Sequence, residues 1–221
     1  MGLEPENTMR GFRRALELGC KMIETDLHLV DGELILLHDV RLDRTTNGTG
    51  GLADISLEDL RKLDAGKGEQ VPLLTELLDL CDGKEVVLNL EIKGAGVVGP
   101  MLEVLERYPL QQVVVSSFDW KQLRECRELA ADLPLAVLVD APELVCDSVG
   151  IFEELGAVSW NPGLALFDDA STKAVVDEIH DLGGKVYPFT VKTKEDLESV
   201  VEIGCDGAFV NDPIAVEQWL K

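Results

Sequence analysis

Residues 22–29 read Met22-Ile23-Glu24-Thr25-Asp26-Leu27-His28-Leu29, with apolar side chains on both sides of two carboxylates. A short apolar run of this kind reads as a strand buried on both faces, as in parallel sheets. Comparable runs recur at Glu85–Ile92, Val113–Ser117, Pro134–Val139, Ala157–Trp160, Lys185–Thr190 and Gly207–Val210. Between them the spacing predicts helices at Asn7–Leu18, Pro100–Tyr108, Trp120–Ala131, Glu143–Leu155, Ser171–Leu182 and Lys194–Ile203, and a last one at Pro213–Lys221. Strands alternating with helices imply an α/β fold with a parallel sheet. A closed (β/α)8 barrel takes eight strands and normally opens with one. Seven strands behind an opening helix therefore suit an open doubly wound sheet or a barrel whose first strand is absent. No G-x-G-x-x-G follows a strand, which weakens a dinucleotide-binding reading.

The alternation is broken once. Asp31-Gly32 is a hairpin signal, and Glu33–His38 reads as a short returning strand. The polar run Asp39-Val40-Arg41-Leu42-Asp43-Arg44-Thr45-Thr46-Asn47-Gly48-Thr49-Gly50 follows. Long polar loops beside strand ends are where barrel chemistry sits. With no linker or repeat, residues 1–221 read as a single domain carrying a small hairpin and loop insertion at residues 31–70.

The chain has 221 residues, 46% hydrophobic and 28% charged, which is globular composition. Its 42 acids against 20 bases give a formal charge of −22. That surface repels phosphate backbones and disfavours nucleic-acid binding, and a small anionic substrate needs a local cation to approach it. No apolar run is long enough to span a bilayer. Neither a basic n-region nor an apolar h-region opens the chain, so the expectation is a cytoplasmic protein if Met1 is near the true start. Cys20, Cys81, Cys126, Cys146 and Cys205 form no C-x-x-C pair and read as reduced thiols.

Three positions carry acidic chemistry. Glu24 and Asp26 are two apart on a strand and share a face. Buried together they repel and lose hydration, a cost that a hard cation such as Mg²⁺ or Ca²⁺ relieves through oxygen ligands. Glu91 ends the next strand, and Asn89, Glu91 and Lys93 share one face of it. Each carboxylate taken alone also suits a solvated strand end. Histidine is the commonest general acid or base. His38 is the leading candidate for that role, and His28, on the face of Asp26, is a lesser one. His180, in a helix, reads as a surface residue.

Pro5-Glu6-Asn7-Thr8, Glu24-Thr25-Asp26, His38-Asp39, Leu42 through Gly50, and Glu91-Ile92-Lys93 stand in an order that resembles the glycerophosphodiester phosphodiesterase family. Ser116-Ser117-Phe118-Asp119 and the stretch from Asp206-Gly207 to Asn211-Asp212-Pro213 agree with its later segments. The resemblance implies a (β/α)8 TIM barrel that hydrolyses small-molecule glycerophosphodiesters to an alcohol and sn-glycerol 3-phosphate. It implies Glu24, Asp26 and Glu91 as ligands of a divalent cation, Mg²⁺ or Ca²⁺. His38 matches one of two catalytic histidines, and Lys93 matches a substrate-binding lysine at the phosphate. It also suggests attack by the glycerol's own 2-hydroxyl through a cyclic phosphate. A homo-oligomer stays open.

Two departures matter. The family opens with a strand ending in His-Arg-Gly, which carries the second histidine and a phosphate-holding arginine, and residues 1–4 do not contain it. A misassigned start, a genuine loss and a replacement by another segment each account for this, and the chain as given is expected to have little activity. The family's Trp-Thr-Val-Asn is replaced by Phe189-Thr190-Val191-Lys192. The rival functions are a non-catalytic phosphodiester-binding barrel, and a related phosphodiesterase acting on lysophospholipids or sugar phosphodiesters.

Overall fold

The computed structural model describes residues 2–108, 112–167 and 171–221. The chain divides into two compact units, Met1–Val114 and Val115–Lys221.

In the first unit, α1 (Met9–Glu17) starts where the Thr8 hydroxyl accepts from the Gly11 N–H, a side-chain N-cap. β1 (Met22–Val30) runs parallel to β3 (Val87–Ile92), with Glu24 opposite Asn89 and Asp26 opposite Glu91. The far end of β1 turns at Asp31-Gly32 and pairs antiparallel with β2 (Glu33–Leu36), Leu27 standing opposite Leu36. The predicted returning strand thus stops two residues before His38, which leaves the histidine in a loop. Helices α2 (Leu57–Leu60), α3 (Leu74–Cys81) and α4 (Val98–Leu105) complete this unit.

The insertion has its own apolar centre. Val30, Ile35, Leu37, Leu42, Leu60, Ala65 and Val71 are buried together, and Leu52, Ile55, Leu57, Leu63 and Leu73 pack against them. The polar run folds back on itself through the Leu42 N–H to Gly50 carbonyl bond at 3.0 Å and the Thr46 N–H to Leu42 carbonyl bond at 3.0 Å. Asn47 and Asp64 bond each other twice across the loop, Asn47 N–H to Asp64 carbonyl and Asp64 N–H to Asn47 Oδ1, both at 2.9 Å. Gly48 packs closely, since a Cβ there would lie 2.6 Å from Leu63 Cδ1 and would make that side chain shift.

The second unit continues the βα alternation. β4 (Val113–Ser117), which spans the division, pairs parallel with β5 (Leu135–Val139). β5 pairs with β6 (Ser159–Pro162), and β6 with β7 (Lys185–Val186), both parallel. Helices α5 (Trp120–Leu129), α6 (Val145–Leu155), α7 (Ser171–Asp181), α8 (Lys194–Ile203) and α9 (Pro213–Trp219) intervene and follow. Asp119 caps α5 by accepting from the Lys121 N–H, and Gly204 ends α8 in the left-handed conformation.

Two expected strands are corrected here. Lys185–Thr190 is a strand only as far as Val186, because Pro188 has no N–H to donate to a ladder. Gly207–Val210 is reduced to one bridge, Val210 with Val191. The Asp206 side chain takes the Val186 N–H at 2.9 Å, while the Asp206 N–H donates to the Val186 carbonyl at 3.1 Å and the Phe209 N–H to the Pro188 carbonyl at 2.9 Å, so side-chain and backbone bonds share this contact.

Candidate active site

Parallel pairing of β1 with β3 places Asp26 directly opposite Glu91, and Glu24 one pleat repeat before Asp26 on the same face. Glu24, Asp26 and Glu91 each offer a carboxylate oxygen, and the three atoms lie within 4.8 Å of one another. Asp26 and Glu91 are buried and Glu24 is partly exposed. Lost hydration, then repulsion from Asp26 and Glu91, push the Glu24 carboxyl well above the ordinary carboxylate range. Lost hydration likewise pushes Glu91 up to about 7, against the pull of Lys93.

Lys93 lies just beyond the end of β3, and its ammonium is 2.6 Å from Glu91 Oε1 and 3.2 Å from Asp26 Oδ1. Burial lowers the Lys93 pKa, but attraction to Asp26 and Glu91 outweighs that and holds it above its usual value. Asn89 Oδ1 is buried without a hydrogen bond among the described residues, while Asp26 Oδ1 and Glu91 Oε1 meet the Lys93 ammonium. A buried amide oxygen without a partner carries an unrecovered desolvation cost. Three carboxylates that converge within 4.8 Å form a donor set that a hard divalent cation fits.

The other side of the cluster is built by the segment before α1. Asn7 Nδ2 donates to Asp26 Oδ2 at 2.7 Å, and Asn7 Oδ1 accepts from the Thr25 hydroxyl at 2.6 Å. No role for Asn7 was read from the sequence, although it stands in the Pro5-Glu6-Asn7-Thr8 motif. Its backbone φ of 50° lies in the left-handed region, which asparagine tolerates better than most residues.

His38 is half exposed, with Nδ1 2.6 Å from Asp39 Oδ1. Its Nε2 lies 3.5 Å from the Lys93 ammonium, so that nitrogen faces the carboxylate cluster. Asp39 is itself gripped by Arg44, and the Arg44 hydrogen bonds followed by the one from His38 hold its carboxyl below the usual range. His28 is buried, and burial lowers its pKa. Its Nε2 donates to the His38 carbonyl at 3.3 Å, so His28 supports the backbone that presents His38. His180, in the second unit, is partly exposed on its helix, with Nε2 2.9 Å from Asp206 Oδ2.

The first unit therefore holds a cation-ready carboxylate cluster, a lysine among the carboxylates and an oriented histidine, an arrangement of the phosphoester-handling class. Residues 2–215 match the model of the glycerophosphoryl diester phosphodiesterase family. The chain is 34% identical to the glycerophosphodiester phosphodiesterase of Caldanaerobacter subterraneus subsp. tengcongensis, over 95% of this chain and 89% of that protein. It is 30% identical to the glycerophosphodiester phosphodiesterase of Bacillus subtilis, over 96% of this chain and 80% of the relative. Among solved structures, an Oleispira antarctica phosphodiesterase in complex with the product sn-glycerol-3-phosphate aligns at a TM-score of 0.88 and 27% identity, covering 98% of this chain and 92% of that one. These structural matches are TIM barrels, which gives the fold class. The chain belongs to the glycerophosphoryl diester phosphodiesterase family. Among the described residues no helix is long and apolar enough to cross a membrane.

Proposed function

We propose that this chain hydrolyses glycerophosphodiesters to an alcohol and sn-glycerol 3-phosphate, with a divalent cation held by Glu24, Asp26 and Glu91. The observation that supports this most is the meeting of those carboxylates within 4.8 Å beside Lys93, with His38 Nε2 turned toward them. Family membership and the product named for the Oleispira antarctica structure point to the same substrate class. Residues 1–221 are read as one functional domain.

Glu24, Asp26 and Glu91 would hold a divalent cation, which when bound would supply positive charge against the charge that develops on the phosphate oxygens. Asn7 fixes the orientation of Asp26. Lys93 binds a phosphate oxygen as a compact charge. His38 Nε2 accepts or returns the proton of an ester or hydroxyl oxygen, and Asp39 keeps the ring in position.

The test is release of sn-glycerol 3-phosphate from glycerophosphocholine and glycerophosphoethanolamine. The protein is stripped with a chelator and then supplied with Mg²⁺ or Ca²⁺. Product that appears only after cation is restored supports the reading. No product from a version that also carries the family's His-Arg-Gly segment before residue 1, or product indifferent to the chelator, rejects it.

A further inference from the structure

We infer that Arg44 and Glu6 are positioning residues for His38, acting through Asp39. The inference builds on the phosphodiesterase reading only for the chemistry that His38 performs.

A carboxylate at imidazole Nδ1 needs a proton between them. Asp39 Oδ1 at 2.6 Å therefore selects the tautomer with Nδ1 protonated and leaves the Nε2 lone pair for the substrate. Asp39 can do this only if its own plane is fixed, and it stands in a loop beyond the end of β2. Arg44 fixes it. Arg44 Nε donates to Asp39 Oδ2 at 2.6 Å and Nη2 donates to Asp39 Oδ1 at 3.0 Å, a two-point grip. The opposite edge of the guanidinium is held in turn by Glu6, with Nη1 to Oε2 at 3.0 Å and Nη2 to Oε1 at 2.6 Å.

Arg44 thus spends its donors on two carboxylates, and this pairing raises its pKa, Asp39 contributing most and Glu6 next. An arginine in a polar loop beside a phosphoester site would ordinarily suggest a phosphate ligand. Here four of its five N–H donors are committed to protein carboxylates. An isolated exposed ion pair contributes little, but this is a two-sided network with bidentate geometry. Charge alternates along it, from Glu6 through Arg44 and Asp39 to His38. The chain ends beside Asn7, so the same short segment that orients Asp26 also anchors the histidine.

The variants are Arg44→Gln, Arg44→Lys and Glu6→Gln. The first readout is the tautomer of His38 by ¹⁵N NMR on the cation-free protein at a pH where the ring is neutral. In the unmutated protein the Nδ1–H form dominates. Arg44→Gln gives a mixture of tautomers and lowers kcat by roughly ten- to a hundredfold, the range seen when a supporting group around a site is lost. KM stays within about twofold, since substrate binding is not what Arg44 provides. Arg44→Lys keeps the charge but not the fork, and fails to restore the unmutated tautomer ratio. Glu6→Gln retains an acceptor and gives a smaller loss in kcat. An unchanged tautomer in Arg44→Gln overturns the proposal, and so does a loss confined to KM, which would make Arg44 a substrate ligand. If Arg44→Gln fails to fold, Arg44→Lys and Glu6→Gln carry the same two readouts. A chain with no phosphodiesterase activity defeats the functional reading alone, because the tautomer measurement still decides the role of Arg44.

Discussion

Asn7 and Asp26 are joined by a 2.7 Å hydrogen bond from Asn7 Nδ2 to Asp26 Oδ2. The bond ties the segment before α1 to the middle of β1, and it leaves Asp26 Oδ1 toward Lys93 and Glu91. A carboxylate held on one oxygen presents the other at a fixed angle, which is how groups around a metal ligand set its direction.

Asn7→Gly isolates that contribution, because glycine keeps the positive φ of 50° without strain while removing all three side-chain bonds, to Asp26 Oδ2, the Thr25 hydroxyl and the Asp26 N–H. The expected result is a loss of about 10- to 100-fold in divalent-cation affinity. Titration calorimetry with Mg²⁺ or Ca²⁺ measures it. An affinity equal to that of the unmutated protein means Asn7 only braces the loop.

Glu91→Gln and Glu24→Ala should abolish cation-dependent turnover while leaving the protein folded. In the cation-free state each removes a repulsive, poorly hydrated charge, so neither should lower the melting temperature of the chelated protein. Each also removes a ligand, so the cation no longer raises that temperature. Retained cation-dependent activity within a few-fold of the original would reject the three-carboxylate assignment.

The pH dependence follows from the same two groups. Glu91 is raised to about 7 and Glu24 is raised well above its ordinary value, so the folded cation-free protein binds more protons than the unfolded chain. Stability from these groups is fully present below about pH 4.3 and declines as pH rises through about 7. His28 works the other way. Its lowered pKa means the unfolded chain binds the extra proton, so its contribution grows as pH rises toward about 6.5. The carboxylate part is separated by comparison with Glu91→Gln. From pH 5 to pH 8 the stability of the unmutated chelated protein should fall relative to that variant, and the gain from added Mg²⁺ or Ca²⁺ should grow. A stability gap constant across that range contradicts the assignment.

The residues whose placement was legible in the sequence are those whose position shows in spacing. Alternation on a buried strand put Glu24 with Asp26, and the end of the next run supplied Glu91. The motif resemblance then named His38 and Lys93. The residues that were missed act by partnership instead. Glu6, Asn7 and Arg44 all stood in quoted motifs, but a motif does not reveal that Arg44 faces Glu6, 38 residues away. Helix α3 was missed although Leu74, Leu77, Leu78 and Cys81 have the spacing of a helical stripe and are all buried. The strand at Ala157–Trp160 was placed two residues early. Gly156 takes a left-handed φ of 53° at the end of α6, and Ala157 and Val158 are needed to turn the chain before Ser159. Tertiary context decided these details, while hydrophobic period decided the order of the elements.

The last prediction concerns the insertion, whose small apolar centre holds the loop that carries Arg44. Leu42 is only 1% exposed, within the cluster of Val30, Ile35, Leu37, Leu60, Ala65 and Val71. It stands two residues before Arg44 and closes the loop through its backbone bond to Gly50. Leu42→Ala removes buried methyl groups and leaves a void, at a cost of about 2–5 kcal/mol. Because the cluster belongs to the insertion, the weakening should be local before it is global. Hydrogen exchange should therefore accelerate at Thr46 and Leu52, whose N–H groups donate to the Leu42 and Val40 carbonyls. The Val115 amide, bonded to the Pro134 carbonyl, should keep its protection. Turnover should fall with the opening of the loop, since Arg44 then loses its hold on Asp39 and His38. Uniform acceleration at Thr46, Leu52 and Val115 alike would show that the insertion has no stability of its own, and that its apolar centre does not separately support the histidine.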